Sequence, residues 1–174
     1  AAPANVLDWR ERVSSFADVA AYTERVSRVP YMLEGEPVLV AASPVTGNFF
    51  SVLGVRAALG RTFTWEETWA GRSDVVVLSD AMWRSHFGAE RGIVGRTITL
   101  GSTELRVVGV MPPAFCFPTG ETQLWISWGW PVENREQVFF RRAHWVRPIA
   151  RLAPGVTHEQ ANAQFQAVVQ QLQV

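Results

Sequence analysis

Three histidines, one cysteine, an adjacent acidic pair and a serine at a strand-to-helix junction are the side chains of this 174-residue sequence that could do covalent or acid-base chemistry. A metal site needs ligands at short, regular spacing, such as two histidines one helical turn apart. His86, His144 and His158 are far apart in the chain, so no metal site is expected. Glu66 and Glu67 have the residue type for general acid and base work, but neighbours on a loop diverge, and a solvated acidic turn is the expectation. Ser79 follows an apolar run and opens a helix-like segment without the flanking glycines of a nucleophile elbow. It reads as a helix cap. Cys116, between Phe115 and Phe117, reads as a small apolar residue in a packed turn rather than a reactive thiol. All sixteen basic residues are Arg. Without Lys neither a Walker A phosphate loop nor a Schiff-base amine can be built. No catalytic group, cofactor or metal is therefore expected in the chain itself.

Recognition chemistry remains. Trp125, Trp128, Trp130 and Trp145, with Phe139 and Phe140, could form either a stacking platform for a ligand or part of a core. Trp128 and Trp130 share one face of an extended segment and are the candidate exposed contacts. Arg135, Arg141, Arg142, Arg147 and Arg151 gather near the same stretch, and Arg141 with Arg142 is the candidate contact for an anionic partner or a lipid headgroup, partly offset by Glu133 and Glu136. The formal net charge is zero, which argues against nucleic acid, whose binding is dominated by phosphate neutralisation.

The elements that must position these residues follow from period and punctuation. A first helix is expected with Asn5 as its cap and Val6, Trp9 and Val13 on one face. Asp18 to Val29 is strand-like but blurred. Tyr31 to Leu33 and Pro37 to Ser43 bracket Glu34-Gly35-Glu36 as a hairpin. The apolar run Val38 to Ala42 should be covered on both faces. Asn48 to Leu53 is a short helix stopped by Gly54. Arg61 to Asp74, rich in charge, is expected to be an exposed connection and a subdomain boundary. Val75 to Leu78 is a buried strand, followed by a helix capped by Ser79, ended by Gly88, with Met82, Trp83 and Phe87 facing a core. Thr97 to Leu100 and Leu105 to Met111 flank Gly101-Ser102 as a hairpin, and Pro112-Pro113 stops its ladder. Leu124 to Ser127 and Gln137 to Phe140 are expected as short strands. A last helix opens with a capping box of Thr157 and Gln160 and carries the stripe Ala161, Phe165, Val168, Val169 and Leu172, expected to pack on the sheet of the first sixty residues. The longest apolar run falls far short of the roughly 20 residues that span a bilayer, so neither a membrane-spanning helix nor a secretory leader is expected within these residues.

Five blocks in order carry a resemblance. They are Thr46-Gly47-Asn48-Phe49-Phe50 running through Gly54 to Gly60-Arg61; Val75 to Ser79 with Trp83 and Phe87-Gly88; Gly95-Arg96-Thr97 running to Gly109-Val110-Met111-Pro112-Pro113; Leu124-Trp125-Ile126; and Ile149 to Thr157 with the helix after it. Together they resemble the periplasmic core domain of the permeases related to the macrolide exporter of the ABC superfamily. The resemblance implies an α+β fold, in which a porter-like βαβ-type subdomain made from residues 1–60 and 143–174 carries a smaller β-rich subdomain, 61–142, inserted between them. It implies that Asn48, Phe49, Phe50, Gly54, Gly60, Arg61, Trp83, Gly95, Gly109 and Pro112 are structural signatures, the glycines holding backbone geometry and the aromatics the cores.

The function so implied is extracytoplasmic and non-enzymatic. ATP hydrolysis on a separate cytoplasmic subunit would move membrane helices of the full-length chain, and this domain would pass that motion to substrate efflux or to another envelope machine. Self-association and a periplasmic adaptor protein are the further partners. Two other classes stay open: a soluble extracytoplasmic binding module using an exposed Trp cluster, and an enzyme, which would need a pocket of converging polar groups.

Overall fold

In a computed structural model that describes residues 1–172, six of the nine strands close on one another. The chain runs through α1 (Pro3–Arg12), β1 (Phe16–Tyr22), β2 (Ser27–Leu33), β3 (Glu36–Val45), α2 (Phe49–Leu53), β4 (Leu59–Gly60) and a 3-10 turn at Trp65–Thr68. It continues through β5 (Val75–Leu78), α3 (Asp80–Phe87), β6 (Thr97–Leu100), β7 (Thr103–Val110), β8 (Leu124–Ser127), α4 (Val138–Arg142), β9 (Arg147–Leu152) and α5 (His158–Leu172). The fold is α+β, with β5 to β8 inserted in sequence between the elements of the two chain ends.

The ring is built from two local hairpins and four pairings between strands farther apart in sequence. β2 pairs with β3 around the Glu34-Gly35 turn, and β6 with β7 around Gly101-Ser102. The last residues of β3 run parallel to β8, Ala42 opposite Leu124 and Val45 opposite Ser127. β8 is antiparallel to β5, and β5 is parallel to β7. Tyr31 opposite Leu100 joins β6 back to β2. The period of two along a strand then sorts each side chain to the inside or outside. Val76 and Leu78 of β5, Leu105 and Val107 of β7, Leu124 of β8 and Val40 of β3 meet inside the barrel. Val75, Val77, Val108 and Trp125 face out, into a second core with Phe49 and Phe50 of α2.

One end of the barrel is stopped by α3, whose Met82 is fully buried in the inner core with Trp83 and Phe87 packed beside it. Ser79 Oγ accepts the Met82 N–H at 3.1 Å, and Gly88 closes the last turn at φ 57°. Ser79→Ala should therefore cost about 1 kcal/mol in urea unfolding of the chain, as loss of a helix cap does, and an unchanged midpoint would contradict the cap.

Outside the ring, β1 joins β3 at Tyr22 opposite Val45, and β9 pairs with β1 from Phe16–Leu152 to Tyr22–Arg147. A third core lies under α1, where Val6, Leu7, Val19 and Ala21 meet Trp130, Phe140 and Val146. All three cores mix residues of 1–60 with residues of 61–142.

Both hairpins, α2, the strand–helix unit 75–88 and the capping box of α5, with Gln160 Oε1 accepting from Thr157 N at 2.9 Å, lie where the sequence places them. Several expectations are corrected. The first helix begins at Pro3 with Ala2 as its cap, not at Asn5, because Pro at the first turn loses no hydrogen bond there. The blurred segment 18–29 is two strands, interrupted at residues 23–26. Val38 to Ala42 is covered on both faces only from Val40 onward, where Val40, Ala41 and Ala42 are all fully buried, whereas Leu39, nearer the hairpin turn, is 62% exposed. The connection 61–74 is not an exposed linker: Phe63, Glu67 and Thr68 are buried, and Trp130 N donates to Thr68 O at 2.8 Å. Its charged residues disguised a segment anchored by aromatics. Gln137 to Phe140 is not a strand but the start of α4, which buries Phe140 alone. The stripe of α5 packs on α1 and the start of β1, with Phe165 5.0 Å from Trp9 and 6.0 Å from Phe16 between ring centroids.

Candidate functional site

The candidate catalytic groups are not brought together. Among the described residues no cluster of His, Cys, Asp or Glu is placed to hold a metal. Glu66 is exposed, and its carboxyl is held below the ordinary range by a bond to its own backbone, then by the Thr64 hydroxyl. Glu67 turns the other way and is buried. It accepts two hydrogen bonds from Arg61, at 2.7 and 2.9 Å, and one from Thr64 N at 2.8 Å. The bonded carboxylate raises the Arg61 guanidinium above its ordinary value. The acidic pair is thus a brace for the turn after β4, not an acid-base dyad. Cys116 is exposed, which corrects the packed-turn expectation. The flanking phenyl rings do the packing instead, Phe115 and Phe117 lying against the second core.

The aromatic candidates are also inward. Trp125 is fully buried, and its Nε1 donates to Phe117 O at 3.1 Å. Trp130 is 4% exposed, so it is no free contact. It lies at the centre of a group of rings: stacked on Trp128 at 4.9 Å and 16°, and edge-on to Phe140 at 5.2 Å. Trp128 is half-buried and edge-on to Trp145 at 5.3 Å. The alternation that suggested one shared exposed face is broken at Gly129, whose φ of 60° folds the two indoles onto each other.

Nor do the arginines form an open cationic patch. Arg135 is bonded to Glu11 at 2.7 Å, Arg141 to Asp8 at 3.2 Å, and Arg147 to Glu24 at 2.8 Å. Arg151 Nε donates to Val52 O at 2.7 Å. The closest acidic partners come from sequence-distant α1 and the β1–β2 loop, while the local Glu136, expected to offset this cluster, reaches Arg141 at 3.9 Å. Arg142 is exposed on the last turn of α4.

Most of the signature residues gather where α2, β1, β4, β7 and β9 meet, whereas Trp83 lies on α3 beside the inner core. Asn48 is buried and its Nδ2 donates to Val19 O at 2.9 Å. Phe49 and Phe50 fill the second core. Gly54 ends α2 at φ 72°, and a Cβ there would stand 2.7 Å from Arg151 Nη2, so the missing side chain admits the β9 arginine onto the helix end. Gly60 pairs with Gly109, and Arg61 N donates to Val108 O at 2.8 Å. Gly95 N donates to Val107 O at 2.8 Å. Pro112 follows Met111, whose N–H makes the last bond, to Leu78 O at 2.8 Å. Trp83 is half-buried, its indole N–H donating to Glu90 O at 2.9 Å. The Arg151 contact was not legible, since nothing in its strand marks it.

Among the described residues these side chains and glycines serve packing and backbone geometry. The sequence profile described as the MacB-like periplasmic core domain matches residues 2–168. The macrolide export ATP-binding/permease protein MacB of Shigella dysenteriae is 37% identical over 73 residues, 42% of this chain and 11% of that protein. The chain thus spans about a tenth of the length of that curated relative. The periplasmic region of MacB from Actinobacillus actinomycetemcomitans superimposes with a TM-score of 0.67 at 17% identity, covering 98% of this chain and 72% of that one. The extracellular domain of the noncanonic ABC-type transporter YknZ from Gram-positive bacteria gives a TM-score of 0.61 at 16% identity, over 92% and 76%. With these likenesses and with five blocks that fall on the joints of the structure, the chain belongs to the MacB-like periplasmic core domains, the extracytoplasmic domains of ABC transporter permeases.

Proposed function

We propose that this domain is a non-enzymatic relay, which carries movement of membrane helices to substrate outside the membrane. ATP is consumed on the cytoplasmic side by a part distinct from this chain. The sequence suggested a separate ATPase subunit; the relative's name joins ATP binding and permease in one protein, so the reading here is of a cytoplasmic ATPase in either connection.

The observation that carries the reading is the placing of α1 and α5. The two helices lie side by side, and Asn5 and Trp9 of one line a cavity of about 80 Å³ with Val169 and Leu172 of the other. The first and last described helices therefore run to the same end of the domain, as an insertion between two membrane helices requires. Among the described residues themselves, no helix is long and apolar enough to cross a membrane. Within the domain, residues 1–60 with 143–174 are proposed to act as the anchored part and 61–142 as the part it carries. The pairing of β9 with β1 and of α5 with α1 supports the first unit. Because one sheet joins the two, force would pass through strands rather than through a flexible linker. Self-association and an adaptor partner remain part of the proposal.

The test uses the full gene product in its native cells, with an antibody to this domain. Carbonate-resistant membrane association, with protease cleavage only once the outer envelope is opened, is the expected result. Recovery in the soluble fraction would overturn the reading.

A further inference from the structure

The barrel is plugged at one end by α3. At the other, no helix residue among the described residues lines the opening, and a cavity of about 260 Å³ lies between the strand ends. Its floor is apolar: Val29, Leu100, Leu105 and Ile126, from four different strands, all inward residues by the alternation that fills the barrel. Its rim carries hydroxyls. Ser73 precedes β5, Thr103 begins β7, and Ser127 ends β8. The Ser127 hydroxyl donates to Glu67 O, which leaves its oxygen to accept, whereas the Ser73 and Thr103 hydroxyls can each donate or accept. Trp128 completes the wall, held by its stack on Trp130 and its edge contact with Trp145. Among the described residues no ionisable side chain lines this cavity.

We propose that the open end of the barrel is a binding site for a small neutral amphipathic molecule, its aliphatic chain on the Val29–Leu100–Leu105–Ile126 floor and an uncharged hydroxyl or similar group at the Ser73–Thr103–Ser127 rim. The charge of the lining decides the class. A carboxylate or ammonium would leave water for a wall with no counter-ion, which costs several kcal/mol before any contact is made. A neutral chain gains from apolar burial and needs only the hydroxyls to orient it. The site is preorganised, because Trp128 is fixed by two other indoles and the floor belongs to hydrogen-bonded strands, so little side-chain freedom is lost on binding. By contrast, the cleft of about 350 Å³ beside it contains Glu24, Arg25, His144 and Arg147 and suits no apolar chain. Trp145 lines that cleft together with Ala1. The site itself does not rest on the permease reading.

The test is titration of the 174-residue chain with 1-octanol and with octanoate, followed by amide and indole NMR shifts. Octanol should give saturable shifts confined to the floor residues Val29, Leu100, Leu105 and Ile126, the rim residues Ser73, Thr103 and Ser127, and the Trp128 indole. Octanoate at neutral pH should bind at least about tenfold more weakly, since its charge finds no partner. Thr103→Trp, at an exposed rim position, should keep the fold and weaken octanol by about tenfold or more by filling the mouth. Unsaturated shifts spread over the surface, equal binding of octanoate, or undiminished binding by folded Thr103→Trp would each overturn the proposal. The alcohol–acid comparison uses the unaltered chain, so it decides the question even if the variant fails to fold.

Discussion

Phe50→Ala is expected to lose about 3–5 kcal/mol of unfolding free energy, the cost of emptying a fully buried aromatic site that cannot collapse. The ring has no exposure and meets Phe49 at 5.3 Å, Trp125 at 5.6 Å, and Phe63 and Phe115 at 5.7 Å each. Those four partners come from α2, β8 and two segments with no regular structure, so none can move in without leaving its own neighbours. Urea unfolding followed by near-ultraviolet circular dichroism measures the loss. Phe139→Ala supplies the comparison: that ring is 66% exposed, and its removal should change stability by less than about 0.5 kcal/mol. A loss at Phe50 below about 1 kcal/mol would contradict its place in the core.

The same pair of residues shows what the sequence can and cannot convey. Phe49 and Phe50 stand in a five-residue helix ended by Gly54, and local punctuation alone puts that helix in place. Phe139 and Phe140 also stand together in a five-residue helix, yet no cap residue or glycine marks its ends, and the segment looked like a strand. Elements bounded by capping and turn chemistry were legible because those signals are local. Ring closure was not, since it depends on one long-range pairing, Tyr31 with Leu100, and on a parallel contact of β3 with β8 between residues about eighty positions apart. The exposure of Trp130 and the arginines failed for a related reason. Whether an indole or a guanidinium is free depends on what the distant α1 brings to it, and that helix supplies Asp8 and Glu11 to Arg141 and Arg135. The barrel mouth was invisible for the same cause, its floor being assembled from four strands whose apolar residues look individually ordinary.

Gly109→Ala tests a close backbone contact between β4 and β7 and should destabilise the chain by about 3 kcal/mol, the upper part of the range for an over-packed site. A Cβ at this position would lie 2.0 Å from Arg61 O and 3.0 Å from Leu59 O, both backbone atoms that cannot rotate away. The facing residue has the reciprocal problem. Gly60 is held at φ 69°, and its Cβ would come within 2.3 Å of Val108 O. Two glycines therefore let β4 lie on β7 just where β7 bulges against β5 between Val76 and Val77. Separating the strands would carry Arg61 away from Glu67 and leave that buried carboxylate without its cation, so the damage would extend into the turn that supports Trp130 through Thr68. Since either substitution opens the same joint, the second should add little to the first, and a double-mutant cycle with Gly60→Ala should show a coupling above about 1 kcal/mol. Additive losses would mean that the strands yield independently at the two positions, and a Gly109→Ala variant within about 1 kcal/mol of the parent would contradict the closeness of the joint itself.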